Sequence, residues 1–177
     1  VGFLRPVKGF DRLIDAFALA FPDYSARLVI AGDGPLRQAL EARALALGVD
    51  DRLELAGMLS RSEVRDLLRA SHALALSSRR ETFGVALIEA MACGLPVVAT
   101  RCGGPDDIVE PMSGLLVPPD DTPALAGALA RMRQSVSDYD AGAIRRRCLE
   151  RFGEEVIAAR YGEVYREVAA DHAARRR

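Results

Sequence analysis

The chain has 177 residues and a formal net charge of −1, with 50% hydrophobic and 28% charged residues. This length suits one domain of ordinary size. The composition argues against a disordered chain, and the near-neutral charge provides no field that would attract a polyanion, so we expect no nucleic-acid partner.

The cysteines and the start of the sequence bear on cellular context. Cys93, Cys102 and Cys148 are far apart and show no metal-ligand spacing, which predicts reduced thiols, a cytoplasmic location and no metal site. No apolar run approaches the roughly 20 residues of a membrane-spanning helix. Residues 1–4 are typical of the end of a β-strand that runs into a turn, so we expect the sequence to begin within a longer protein.

Short aliphatic runs alternate with amphipathic segments along the chain. Ser60 and Glu63 form a capping-box pattern, and Asp121 or Thr122 can cap a later helix. The repeated strand and helix units predict an α/β fold, a Rossmann-like doubly wound parallel sheet with helices on both faces. The predicted buried strands are 28–31, 53–56, 73–76, 96–99 and 114–117, and the predicted helices are 10–21, 35–47, 60–69, 85–93, about 121–133 and a helical tail over 138–177.

The loops that follow the strands are the candidate site, because ligands of a doubly wound sheet bind beyond the carboxyl ends of its strands. Lys8 and Gly9 combine a positive charge with a tight turn, which suits a phosphate group. Gly32 and Gly34 bracket a turn that we predict to offer free N–H groups to an anion at a helix N-terminus. A solvated lysine and a simple connecting turn are the alternative interpretations.

The loop over residues 77–84 is the sharpest candidate, because it opens directly into a predicted helix. Glu81 precedes the positive end of that helix, and Glu89 lies about 7 to 8 Å along the axis from Gly84, a length comparable to a diphosphate sugar. Glu89 stands in an otherwise apolar helix, so we expect it to need a partner. The alternative is that both acids are solvated or paired with arginines.

A longer motif connects this loop to a known family. Residues 81–98, ETFGVALIEAMACGLPVV, resemble the Glu-x7-Glu signature, and the segment after it, of the group 1 (family four) retaining glycosyltransferases. Residues 2–9 resemble the family's basic loop at the donor diphosphate, residues 31–35 resemble its glycine turn, and Gly103-Gly104 follows in the expected order. The resemblance implies the two-domain GT-B fold, with residues 1–177 as the C-terminal donor-binding domain.

The resemblance also implies an activity and its partners. A hexosyl group would pass with retention of configuration from a UDP-, GDP- or ADP-sugar, without a further cofactor, to a glycan, lipid or small-molecule acceptor. The acceptor would bind an N-terminal domain outside this sequence, which could also associate peripherally with a membrane. We therefore expect the isolated domain to be inactive.

The family's functional residues can be placed on this sequence. Lys8 would neutralise the diphosphate and Glu81 would contact the transferring sugar, so both are predicted to be catalytic. The main chain at Phe83, Gly84 and Val85 would meet the pyrophosphate, and Glu89 would bind the ribose. The predicted donor-binding set is Arg5, Gly9, Gly32, Gly34, Met58, Leu59, Thr82, Phe83, Gly84, Val85 and Glu89.

One departure and one alternative remain open. Many relatives carry Arg at the position of Phe3, and Arg5 would share a strand face with Phe3, so we hypothesise that Arg5 partly replaces that arginine. A NAD-dependent oxidoreductase is disfavoured because no GxGxxG follows a first strand. A non-catalytic nucleotide-sugar-binding or regulatory domain of the same fold stays open.

Overall fold

A computed structural model describes the backbone of residues 1–175 and the side chains of residues 1–169 and 172. The strands are β1 (Leu28–Ala31), β2 (Leu53–Gly57), β3 (Leu74–Leu76), β4 (Val97–Thr100) and β5 (Gly114–Val117). The helices are α1 (Phe10–Ala20), α2 (Arg37–Ala46), α3 (Arg61–Ala70), α4 (Val85–Ala92), α5 (Gly104–Ile108), α6 (Thr122–Ser135), α7 (Ala141–Phe152) and α8 (Glu154–Arg175).

The predicted α/β class, with parallel strands and helices on both sides, is confirmed. β1 pairs with β2, and β3, β4 and β5 pair in that order, all in parallel register. The strand end predicted at residues 1–4 forms no regular strand, although the N–H groups of Gly2 and Leu4 donate to the carbonyls of Ala31 and Asp33. Residues 1–4 hydrogen bond on the β1 side and not to β3. The hydrogen bonding between strands is therefore interrupted between β1 and β3, and the strands form one sheet of two and one of three.

Two apolar cores cover the two faces of the strands, and β4 shows why. Successive side chains of a strand point to opposite faces. Val98 belongs to the core formed with α1 and α6, whereas Val97 and Ala99 belong to the core formed with α4 and α7. All three side chains are fully buried, as expected of a strand with helices on both faces.

Local signals placed most helix starts correctly. The capping box is present, since Glu63 N–H donates to Ser60 Oγ and Ser60 N–H donates to Glu63 Oε2. Asp121 caps α6 through the N–H of Ala124 at 2.8 Å. The predicted continuous tail is instead two helices divided at Gly153, and residues 176–177 of that prediction lie outside the described part. No described helix is both long enough and apolar enough to span a membrane.

Candidate functional site

The turn that carries Lys8 packs directly against the loop after β3. Pro6–Lys8 forms a 3-10 turn that ends at Gly9, whose φ of 63° lies in the left-handed region that favours glycine. A Cβ at Gly9 would lie 2.1 Å from the carbonyl oxygen of Ser77, so no larger residue fits. This contact brings Lys8 Nζ to 2.6 Å from Glu81 Oε2, across 73 positions of sequence.

Glu81 is held in place through its main chain by the loop after β4. Its N–H donates to the carbonyl of Cys102, and its carbonyl accepts from the N–H of Gly104 at 2.8 Å. A Cβ at Gly104 would lie 2.1 Å from the carbonyl oxygen of Phe83. The glycine pair 103–104 therefore leaves the space that the backbone of the Glu81 loop needs to pack closely. The sequence alone did not separate this role from that of a tight turn.

The start of α4 faces the same space as the Lys8–Glu81 ion pair. Gly84 precedes the helix with a φ of 98° and provides no side-chain cap. The first N–H groups of a helix have no acceptor inside it, and the helix dipole adds positive potential there. A cavity of about 360 Å³ opens at this point. Its lining includes six of the predicted residues, namely Lys8, Glu81, Thr82, Phe83, Gly84 and Val85.

Glu89 lies on the exposed surface of α4, so our expectation that an acid in this apolar helix needs a partner was wrong. The reason is that only one side of α4 packs against the protein, and Glu89 lies on the side that does not.

Gly32 and Gly34 serve chain packing, and their own N–H groups are not free for an anion. The N–H of Gly32 donates to the carbonyl of Gly57, and that of Gly34 donates to Asp33 Oδ1. A Cβ at Gly32 would lie 1.9 Å from the carbonyl oxygen of Gly2, and α2 begins only at Arg37. These glycines let residues 2–4 approach β1 closely.

Four predicted donor-binding side chains lie outside the cavity lining, namely Glu89, Met58, Leu59 and Arg5. Met58 and Leu59 follow the end of β2, and Met58 is 72% exposed. Arg5 is exposed and its guanidinium lies over the ring of Phe3, 4.9 Å from the centroid. That contact keeps Arg5 beside Phe3, and the hypothesis that Arg5 replaces the arginine of the family motif stays a prediction.

Sequence analysis missed two residues that shape this region. Arg79 hydrogen bonds to the Lys8 turn, to α1 and to the loop before α6, over separations of 41 to 73 residues. The ring of Phe152 meets that of Phe83 edge-on, with centroids 6.2 Å apart. Neither contact had a local spacing signal, because each partner lies far away along the chain.

The cavity lined by Lys8, Glu81 and the start of α4 is called the Lys8–Glu81 crevice below. Together with the fold it defines a Rossmann-like domain that presents a positive charge and a helix N-terminus at the carboxyl ends of its strands. The chain belongs to the family described as glycosyl transferases group 1, whose profile matches residues 1–140. Family membership confirms the resemblance seen in the sequence.

Relatives and solved structures agree with this assignment. The chain is 32% identical to N-acetyl-alpha-D-glucosaminyl L-malate synthase of Bacillus anthracis over 94% of its own length and 44% of that protein. It is 40% identical to a GDP-mannose-dependent alpha-(1-6)-phosphatidylinositol dimannoside mannosyltransferase of Mycobacterium tuberculosis, over 86% of the chain and 38% of that protein. The structure of Anabaena Alr3699/HepE in complex with UDP superposes with a TM-score of 0.85 at 27% identity, covering 94% of this chain and 47% of that one. The chain thus spans less than half the length of these proteins.

Proposed function

We propose that the chain binds the donor of a retaining glycosyltransferase, a nucleoside diphosphate sugar, at the Lys8–Glu81 crevice. The single observation that carries the proposal is the convergence of the Lys8 ammonium, the Glu81 carboxylate and the start of α4 on one cavity. A diphosphate is an anion that suits the ammonium and the unpaired N–H groups. Preoriented donors of this kind stabilise charge that develops on a leaving group.

The course of the transfer that we propose is the one that the family resemblance implies. The bond from the anomeric carbon to the diphosphate breaks, and the acceptor oxygen forms its bond on the same face of the sugar. The acceptor proton passes to the departing diphosphate, whose negative charge Lys8 and the start of α4 offset. Glu81 contacts the sugar, and Glu89 accepts hydrogen bonds from the ribose. Arg5 adds a second positive charge at the phosphates.

The donor class has support from relatives but its base stays open. The Anabaena structure is a complex with UDP, and the mycobacterial relative is GDP-mannose-dependent. UDP- and GDP-sugars are therefore candidates. The family resemblance adds ADP-sugars, and we propose that the main chain at Met58 and Leu59 contacts the base. An acceptor domain before Val1, any membrane association through it, and a cytoplasmic location belong to the same proposal.

Titration of the intact protein with UDP, GDP and ADP, followed by transfer assays with the matching sugars, tests the proposal. We expect one nucleoside diphosphate to bind and its sugar donor to be consumed with retention at the anomeric carbon. The isolated 177-residue domain should bind that ligand and transfer nothing. Binding without transfer by the intact protein would favour the non-catalytic alternative, and binding of none of the three would contradict the proposal.

A further inference from the structure

Three consecutive carbonyls of the Lys8 turn are held by the loop that follows β3. The carbonyl of Pro6 accepts from Arg79 Nη1 at 2.7 Å, and that of Val7 accepts from the backbone N–H of Arg79 at 2.8 Å. The carbonyl of Lys8 accepts from Ser77 Oγ at 3.0 Å. Two of these three hydrogen bonds come from Arg79, one from its side chain and one from its main chain.

The other two nitrogen atoms of the Arg79 guanidinium each donate a hydrogen bond to a carboxylate. Nε donates to Asp120 Oδ1 at 2.7 Å, and Nη2 donates to Asp11 Oδ2 at 3.1 Å. Asp11 belongs to the first turn of α1, and Asp120 lies between β5 and α6 with a φ of 56°, which is rare for a residue other than glycine. The hydrogen bond from Arg79 lowers the pKa of Asp120, and the charge of Arg12 lowers it further. The guanidinium is thereby committed to three segments of the protein.

This pattern separates Arg79 from an anion-binding arginine, although it lies two residues from Glu81. A guanidinium that binds a diphosphate keeps its fork of N–H donors available for the ligand. Each of the three guanidinium nitrogens of Arg79 already donates a hydrogen bond, one to a carbonyl and two to carboxylates, and its side chain is only 30% exposed. The adjacent Arg80 is exposed and makes no hydrogen bond or ion pair with any described residue.

We propose that Arg79 is a positioning residue that fixes the Lys8 turn against the Glu81 loop and so sets the place of the Lys8 ammonium for the donor diphosphate. This inference rests on the proposed function. Arg79 acts through Lys8 and makes no contact with the donor. The guanidinium reaches Asp120, Pro6 and Asp11 from three separate nitrogen atoms, a spread of donors that the single nitrogen of an ammonium does not offer.

A double-mutant cycle in the intact protein tests this role. The probe is whichever of UDP, GDP and ADP binds the wild type, with the matching nucleoside as the reference ligand. We expect Arg79→Gln to weaken the nucleoside diphosphate about tenfold and the nucleoside hardly at all. In a Lys8→Met background the same substitution should have no further effect, because the group it positions is gone. Arg80→Gln, the matched control, should bind both ligands as the wild type does.

The outcomes separate this inference from the proposed function. Wild-type affinity in Arg79→Gln, or an equal loss in the Lys8→Met background, would overturn the positioning role while the donor site stands. Failure of the wild type to bind any of the three diphosphates would overturn both. If Arg79→Gln does not fold, Asp120→Asn removes the negative charge of one of the two carboxylates that hold the guanidinium, and keeps the arginine. It should then weaken the diphosphate severalfold and leave the nucleoside unchanged, and wild-type affinity for the diphosphate would count against the role.

Discussion

Lys8 Nζ and Glu81 Oε2 lie 2.6 Å apart, in a pair whose side chains are 30% and 15% exposed. Glu81 is also within reach of a second donor, since Ser78 Oγ lies 3.5 Å from the same oxygen. The negative charge of Glu81 offsets the positive charge that the Lys8 ammonium presents to an anionic ligand. The two residues should therefore affect anion binding in opposite directions, which is unusual for neighbours in one site.

Replacement of Lys8 by Met removes the charge and keeps most of the side-chain volume. We expect affinity for the nucleoside diphosphate to fall about 10- to 100-fold, because a hydrogen bond to a charged group is lost. Affinity for the nucleoside should not change. Calorimetric titration of the intact protein measures both, and Lys8→Arg, which retains the charge, should recover part of the loss. An unchanged diphosphate affinity would remove Lys8 from the site.

Glu81→Gln should have the opposite effect on binding and a severe effect on transfer. Without the carboxylate, the Lys8 ammonium is free for the ligand, so we expect the nucleoside diphosphate to bind about two- to fivefold more tightly. The rate of sugar transfer should fall on the order of 100-fold, since a group preoriented toward the sugar is lost. Weaker diphosphate binding in this variant would show that Glu81 supports the anion site and does not compete for it.

Glu89→Ala tests the ribose contact separately from the phosphate contact. We expect the nucleoside and the nucleoside diphosphate to lose affinity by the same factor, about tenfold, because both carry the ribose. Thermal stability should hardly change, since Glu89 is exposed. Loss confined to the diphosphate would instead assign Glu89 to the phosphate end of the ligand.

Periodicity and local signals predicted much of this structure correctly. β1 and β5 have the predicted bounds, and the other strands differ by one residue at one or both ends. Such strands are buried on two faces and bounded by turns, so their sequence is distinctive. The convergence of Lys8 and Glu81 was also predictable, because the loops at the carboxyl ends of neighbouring parallel segments meet at one edge of the fold. Glu81 follows β3, and Lys8 follows residues 1–4, which hydrogen bond beside β1 without forming a regular strand.

The parts that the sequence did not predict depend on contacts between distant segments. Whether Gly32 offers its N–H to an anion depends on the carbonyl of Gly57, 25 positions away, which no local pattern reveals. The role of Arg79 depends in the same way on Asp11 and Asp120. The exposure of Glu89 depends on how much of α4 the sheet covers, and helical spacing alone leaves that width undetermined.

Gly104→Ala tests whether the Glu81 loop needs the glycine pair 103–104 for its close backbone packing. The added Cβ would lie 2.1 Å from the carbonyl of Phe83, so backbone must move, and we expect a loss of about 2 kcal/mol in the free energy of unfolding. Diphosphate affinity should fall with it. Gly127→Ala is the matched control, because that exposed position in α6 has no neighbour within 4 Å of the added Cβ. It should gain about 0.5 to 1 kcal/mol.

Stability in acid should depend on Glu110, which links the end of α5 to α7. Arg147 donates to both of its carboxylate oxygens at 2.8 Å, and this hydrogen bonding lowers the pKa of Glu110, with Arg151 adding to the shift. A folded-state pKa below the unfolded value, about 4.3, means that the stabilisation is complete above that pH and is lost as the pH falls through the lowered pKa. Urea midpoints should therefore drop less between neutral pH and about pH 3 in Glu110→Gln than in the wild type. Glu167→Gln, at an exposed position of α8, should keep the wild-type pH dependence, and equal acid sensitivity of all three proteins would exclude Glu110 as the cause.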